Sequence, residues 1–63
     1  MQFHIEIVRD VGGNIEIVYR ATADEMSADR AKTKADALLN LYAGRGANGV
    51  RVLNYRSKEI YKS

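Results

Sequence analysis

Residues 2–21, QFHIEIVRDVGGNIEIVYRA, change character at every second position on both sides of a Gly-Gly pair. Successive side chains of an extended chain point to opposite faces, so a period of two with β-branched residues reads as a strand. In the first strand Phe3, Ile5 and Ile7 fall on one face and Gln2, His4, Glu6 and Val8 on the other. In the second, Ile15, Ile17, Tyr19 and Ala21 alternate with Glu16, Val18 and Arg20. DVGGN lies between them, with glycines and an Asn that accept positive φ, which predicts a hairpin turn. Two strands joined this way are antiparallel and lay their aliphatic faces side by side.

The period then changes. Ala28, Ala31, Ala35, Leu38, Leu39 and Tyr42 recur at steps of three and four, one stripe of a helix with Leu41 at its edge. Ser27 is the expected N-cap, its hydroxyl accepting a bond from an otherwise unpaired backbone N–H. Thr22-x-x-Glu25 is a rival capping box, which leaves the helix start open between Ala23 and Ala28. Gly44 is expected to stop the helix in the left-handed conformation. Val50, Arg51 and Val52 alternate into a third strand, RSKE reads as a turn, and residues 59–63 are a candidate fourth strand.

The order β-β-α-β(-β) specifies one α+β domain over residues 1–63. A crossover helix places the third strand antiparallel to the first, so the expected sheet order is 2-1-3, or 2-1-3-4 with the last strand, with the helix on one face. Phe3, Ile5, Ile7, Ile15, Ile17 and the Ala/Leu ridge are the expected core, where Ile5→Ala and Leu38→Ala would each cost about 2–5 kcal/mol. The uncovered face would carry His4, Glu6, Val8, Glu16, Val18, Arg20, Arg51, Leu53 and Tyr55.

Such a chain has little to hold it except packing. A domain of 63 residues buries only about 60% of its unfolded surface. It has no Cys and one His, so neither a disulfide nor a His/Cys metal site staples it. There is no apolar run of the length that spans a bilayer, and MQFHIEIVRD lacks the pattern of a signal peptide; the expected location is cytoplasmic, with no membrane partner.

Motifs of chemistry are scarce. GRGANG, Gly44 to Gly49, fits the G-x-G-x-x-G spacing of dinucleotide loops. A working loop follows a strand and opens a helix, whereas this one follows a helix and enters a strand. Carbonyls rather than N–H groups would face a phosphate there, and a helix C-terminus repels one. The loop is therefore read as a helix stop plus a flexible connection into the third strand. His4 and Glu6 share a strand face, but two groups without a third ligand or a pocket make neither a metal site nor an acid–base pair. No catalytic residue, metal ligand or cofactor site is assigned, and an enzyme is not expected.

Two functional readings remain. Residues 1–44 hold five basic against seven acidic side chains, a net of −2; residues 45–63 hold five against one, a net of +4. In the basic part Arg51, Tyr55, Arg56, Lys58 and Lys62 interleave cations with an aromatic ring, a pattern that suits single-stranded nucleic acid. Val8, Val18 and Leu53 all fall on the sheet face away from the helix, where an apolar cluster suits self-association or another protein. The first reading is a small non-catalytic protein-interaction domain, with a homodimer as one form of it. The alternative is a small nucleic-acid-binding domain.

Overall fold

A computed structural model describes residues 2–24 and 27–63. Strand β1 (Gln2–Val11) and strand β2 (Asn14–Asp24) form the hairpin, helix α1 (Ala28–Tyr42) crosses over, and β3 (Gly49–Leu53) and β4 (Glu59–Lys62) complete the sheet. The order is β2-β1-β3-β4, antiparallel throughout. This is the anticipated α+β fold, with the fourth strand present. Gly12 and Gly13 turn the hairpin in two residues, at φ 61° and 88°, a conformation that matches the twist of the strands and suits glycine at both positions.

The helix packs on β1 and β3. Its buried face is Ala31 and Ala35, two side chains small enough to bring the helix close to the sheet. Beneath them lie Phe3, Ile5, Ile7, Val50 and Val52, each at most 3% exposed. Leu38, Leu39 and Tyr42 cover the border of this core and are only partly buried. Ser27 caps the helix as expected, its Oγ accepting from the Arg30 N–H at 3.3 Å. The rival capping box reaches Glu25, which lies outside the described residues.

Three details correct the sequence reading, and the first has consequences. The β1–β2 register slips between Ile7 and Val8: Ile7 pairs with Tyr19, but Val8 pairs with Ile17. Val18 is the extra residue of a β-bulge. Side chains alternate with a period of two, so one inserted residue moves everything beyond it to the opposite face. Ile15 and Ile17, expected in the core, therefore sit on the uncovered face, 57% and 45% exposed. Val18, expected on that face, packs half-buried against the core. Glu16 pairs with Arg9 on the helix side.

The helix also ends differently. Ala43–Arg45 tighten into a 3-10 turn, and the left-handed residue is Gly46 at φ 93°, its N–H donating to the Ala43 carbonyl. Gly44 is not the cap, because the extra turn postpones the reversal by two residues. Asn48 then ties the loop to β1. Its amide nitrogen donates to the Asp10 carbonyl and its side-chain oxygen accepts from the Asp10 N–H, both at 2.8 Å. The glycine-containing loop is thus a fixed entry into β3.

Candidate interaction surface

The pairing register orders the uncovered face into rows that run across the strands. One row is Ile17 on β2, Val8 on β1 and Gly49 on β3. The next is Arg20, Glu6, Arg51 and Lys62, and beyond it lie Thr22, His4, Leu53 and Glu59. On the other side of the first row, Ile15 pairs with Asp10. The hairpin half of the face is aliphatic and the opposite half is ionic.

The ionic row is built around a buried carboxylate. Glu6 is 5% exposed although no helix covers it. Its Oε2 lies 3.1 Å from the Arg20 guanidinium, and its Oε1 accepts from Arg51 Nε. Arg51 also approaches Glu59 at 3.9 Å. The two guanidiniums close on the carboxylate while their side chains stay partly exposed, 61% for Arg20 and 42% for Arg51. His4 and Glu6 share this face, but both Glu6 oxygens are already taken up by arginine. Among the described residues, no three His, Asp or Glu side chains come together as a metal site would require.

The hairpin half carries a shallow depression of mixed lining. Gly49 is buried where its neighbours leave no room for a side chain: a Cβ there would lie 3.1 Å from Val8 Cγ2 and 3.2 Å from the Ser63 carbonyl oxygen. The depression of about 120 Å³ opens beside it, walled by Val8, Asp10, Ile15, Arg51, Glu59 and Lys62. Val8 itself is 9% exposed, so the exposed aliphatic surface belongs to Ile15 and Ile17.

The five residues considered for nucleic acid divide into two groups. Arg51 and Lys62 are paired neighbours on the uncovered face, and Arg51 faces two carboxylates. Tyr55, Arg56 and Lys58 belong to the β3–β4 turn. There Asn54 Oδ1 accepts from the Arg56 and Lys58 N–H groups at 2.9 and 3.0 Å, and Ser57 takes φ 61°. Tyr55 is 59% exposed, with the Arg56 guanidinium 5.3 Å from its ring centre. Tyr61 points the other way. Its hydroxyl donates to Asp36 on the helix at 2.9 Å, and Lys32 lies over its ring. That hydrogen bond to a carboxylate holds the Tyr61 phenol above its ordinary pKa.

Of the residues considered for self-association, Val8 and Leu53 lie on the uncovered face and Val18 does not. Ile15, Ile17 and Gly49 replace it, and the sequence pattern assigns none of them to this surface. A second feature is also absent from the pattern: Tyr19 stacks on Tyr42 with ring centres 4.8 Å apart, and Arg45 caps Tyr42 at 5.5 Å. These three come from β2, α1 and the 3-10 turn, so no local spacing links them. Comparison with protein-family models, with curated proteins and with solved structures finds no match for this chain.

Proposed function

We propose that this chain is a small, non-catalytic protein-interaction domain whose contact surface is the helix-free face of its sheet. The supporting observation is the bulge at Val18. It turns Ile15 and Ile17 outward, beside Val8, on a face that no other element covers. Clustered aliphatic side chains are rare on the open surface of a small domain unless something docks there. The ionic row supplies the polar border that interfaces carry around an apolar centre.

The test is amide chemical-shift mapping on isotope-labelled protein, followed as concentration rises and as unlabelled cell extract is added. Shifts centred on Val8, Ile15, Ile17 and Gly49–Arg51 are expected. If those amides stay fixed throughout while the fold is intact, the reading fails.

Nucleic-acid binding is the second reading, favoured by the exposed Tyr55 ring with Arg56 against it and Lys58 nearby. A single-stranded oligonucleotide added at low salt would then shift residues 54–58 and Lys62. Binding would weaken as salt rises, because phosphate contacts release counterions. Tyr55→Ala would reduce it.

A further inference from the structure

We infer that this chain pairs with a second copy of itself edge to edge, through residues 20–24 of β2, so that two four-stranded sheets join into one. The contact lies at the rim of the sheet, not on its helix-free face, and does not depend on the interaction reading above. β2 and β4 are the two edge strands. β4 has four residues and ends on Lys62, and shortness and a lysine both guard an edge against strand addition. β2 has eleven residues, with neither Pro nor Lys. Its first part is guarded by the bulge at Val18, since a bulge twists an edge away from an incoming strand. From Tyr19 to Asp24 the pairing with β1 is unbroken. Among the described residues, none of the backbone hydrogen bonds formed outside helix and sheet involves residues 19–23. The N–H and C=O groups that point away from β1 along this half of the strand are therefore a template for another strand. The helix packs on β1 and β3, one strand in from this edge.

The sequence of that half specifies the partner. It reads Arg20-Ala21-Thr22-Ala23-Asp24, which is complementary to itself when reversed. A twofold axis perpendicular to the sheet and passing beside Thr22 sets each Arg20 opposite the partner's Asp24, each Ala21 opposite the partner's Ala23, and the two Thr22 side chains opposite each other. Opposite charges and Thr–Thr pairs are among the cross-strand pairs that stabilise an antiparallel ladder. Neighbouring registers lose this match. Centred on Arg20, two arginines meet; centred on Ala21, Arg20 faces Thr22; centred on Ala23, Asp24 faces Thr22. Arg20 can serve both neighbours, because a guanidinium has five N–H donors and Glu6 is met by Nη2, at 3.1 Å. The charges that would repel an unrelated strand thus admit a copy of this one. The axis keeps both helices on one side of the joined sheet. The pairing ends before Ile15 and Ile17, so both helix-free faces stay open. Each copy contributes residues 20–24 alone, against roughly 20–30 residues a side in a standard interface, so the dimer is weak and forms at high concentration.

Sedimentation equilibrium and amide chemical-shift mapping, from micromolar to millimolar protein, test this for the parent chain, Thr22→Asp, Asp24→Arg and Glu16→Arg. Thr22→Asp puts two carboxylates face to face on the axis, and Asp24→Arg puts an arginine opposite each Arg20. Glu16→Arg is the control: it makes the same change of charge on the exposed part of β2 beyond the bulge. Circular dichroism verifies that each variant folds, and the parent's shift map decides alone should one unfold. Concentration-dependent shifts centred on residues 20–24, with a dimer that Thr22→Asp and Asp24→Arg each weaken about tenfold and Glu16→Arg leaves intact, support the inference. A dimer indifferent to Thr22→Asp overturns it, as do amides 20–24 that stay fixed up to millimolar protein. Movement at Val8, Ile15 and Ile17 with residues 20–24 unmoved sustains the face and overturns the edge; the converse sustains the edge alone.

Discussion

Glu6→Gln replaces the buried carboxylate by an amide of the same shape and so isolates its charge. Glu6 is 5% exposed and engages two guanidiniums. A hydrogen bond to a charged group is worth about 1.5–3 kcal/mol, whereas exposed ion pairs contribute about 0.2–1 kcal/mol. The Arg20 side chain is 61% exposed, so its contribution belongs to the lower class. Arg51 is 42% exposed and donates through Nε, so its contribution lies between the two classes. Together they amount to about 2 kcal/mol. In a domain of this size 1 kcal/mol moves Tm by roughly 4–8 °C, which predicts a fall of about 8–16 °C. The amide also leaves Arg20 and Arg51 facing each other across an uncharged group. At 1 M salt, where the screening length is about 3 Å, part of the loss is recovered. Thermal unfolding followed by circular dichroism at two salt concentrations measures both effects. If Glu6→Gln melts within about 2 °C of the parent at low salt, the charge of Glu6 contributes nothing to stability and the reasoning fails.

The remaining predictions concern the core, the helix stop and one phenol. Ile5→Ala removes a side chain with no exposure and should lower the free energy of unfolding in urea by about 2–5 kcal/mol. Leu38→Ala, at the half-buried border, should lower it by less. Gly46→Ala forces a side chain into φ 93° and should cost about 1–2 kcal/mol, while Gly44→Ala, with open space around its Cβ, should not destabilise. In an ultraviolet titration of the four tyrosines, Tyr61 should ionise above its ordinary pKa, and Asp36→Asn should bring it down. A phenol whose folded pKa is raised contributes stability that is full below the unfolded pKa of about 10 and is lost as pH climbs through the folded value. The parent should therefore lose stability across that alkaline window faster than Tyr61→Phe.

The order of elements was legible because each announces itself locally. Alternation in residues 2–8, the three-and-four spacing from Ala28 to Tyr42, the Ser27 cap and the Gly-Gly turn all act within a few residues of one another, and all four are where the pattern places them. Sheet order followed, because a crossover helix leaves the third strand a natural place beside the first. Glu6 was assigned correctly to the uncovered face, but its burial was not visible. Arg20 and Arg51 are distant in sequence and converge on it only through the pairing register. The place of Tyr61 against Asp36 and the stack of Tyr19 on Tyr42 were hidden for the same reason.

The bulge is a different kind of failure, because the segment that hides it is the one that reads most clearly. IEIVY alternates well enough to suggest that Ile15, Ile17 and Tyr19 share a face. In fact Tyr19 shares the helix side with Ile7, while Ile17 shares the other with Val8. The clue is Val18, an aliphatic residue at a position that strict alternation assigns to solvent. A strand with apolar residues at 17, 18 and 19 can turn its ends to opposite faces if one residue is inserted at the middle, and Val18 is that residue. The core does not need the two isoleucines. Phe3, Ile5, Ile7, Val50 and Val52 fill the space under the helix without them. What the insertion accomplishes is to place aliphatic surface on the uncovered face, beside the one position in β3 that has no side chain. A β2 that placed Val18 in register opposite Val8 would have kept Ile15 and Ile17 on the helix side and left that face with little besides the ionic row. Turn and bulge together thus set which side chains of β2 face outward, and a hairpin engineered to lose Val18 would separate their effects. The two-residue turn still fixes the pairing of residues 14–17 with 8–11, so Ile17 should remain outward. The bend and added twist of β2 should disappear, and any association that depends on that local shape should weaken while the fold persists.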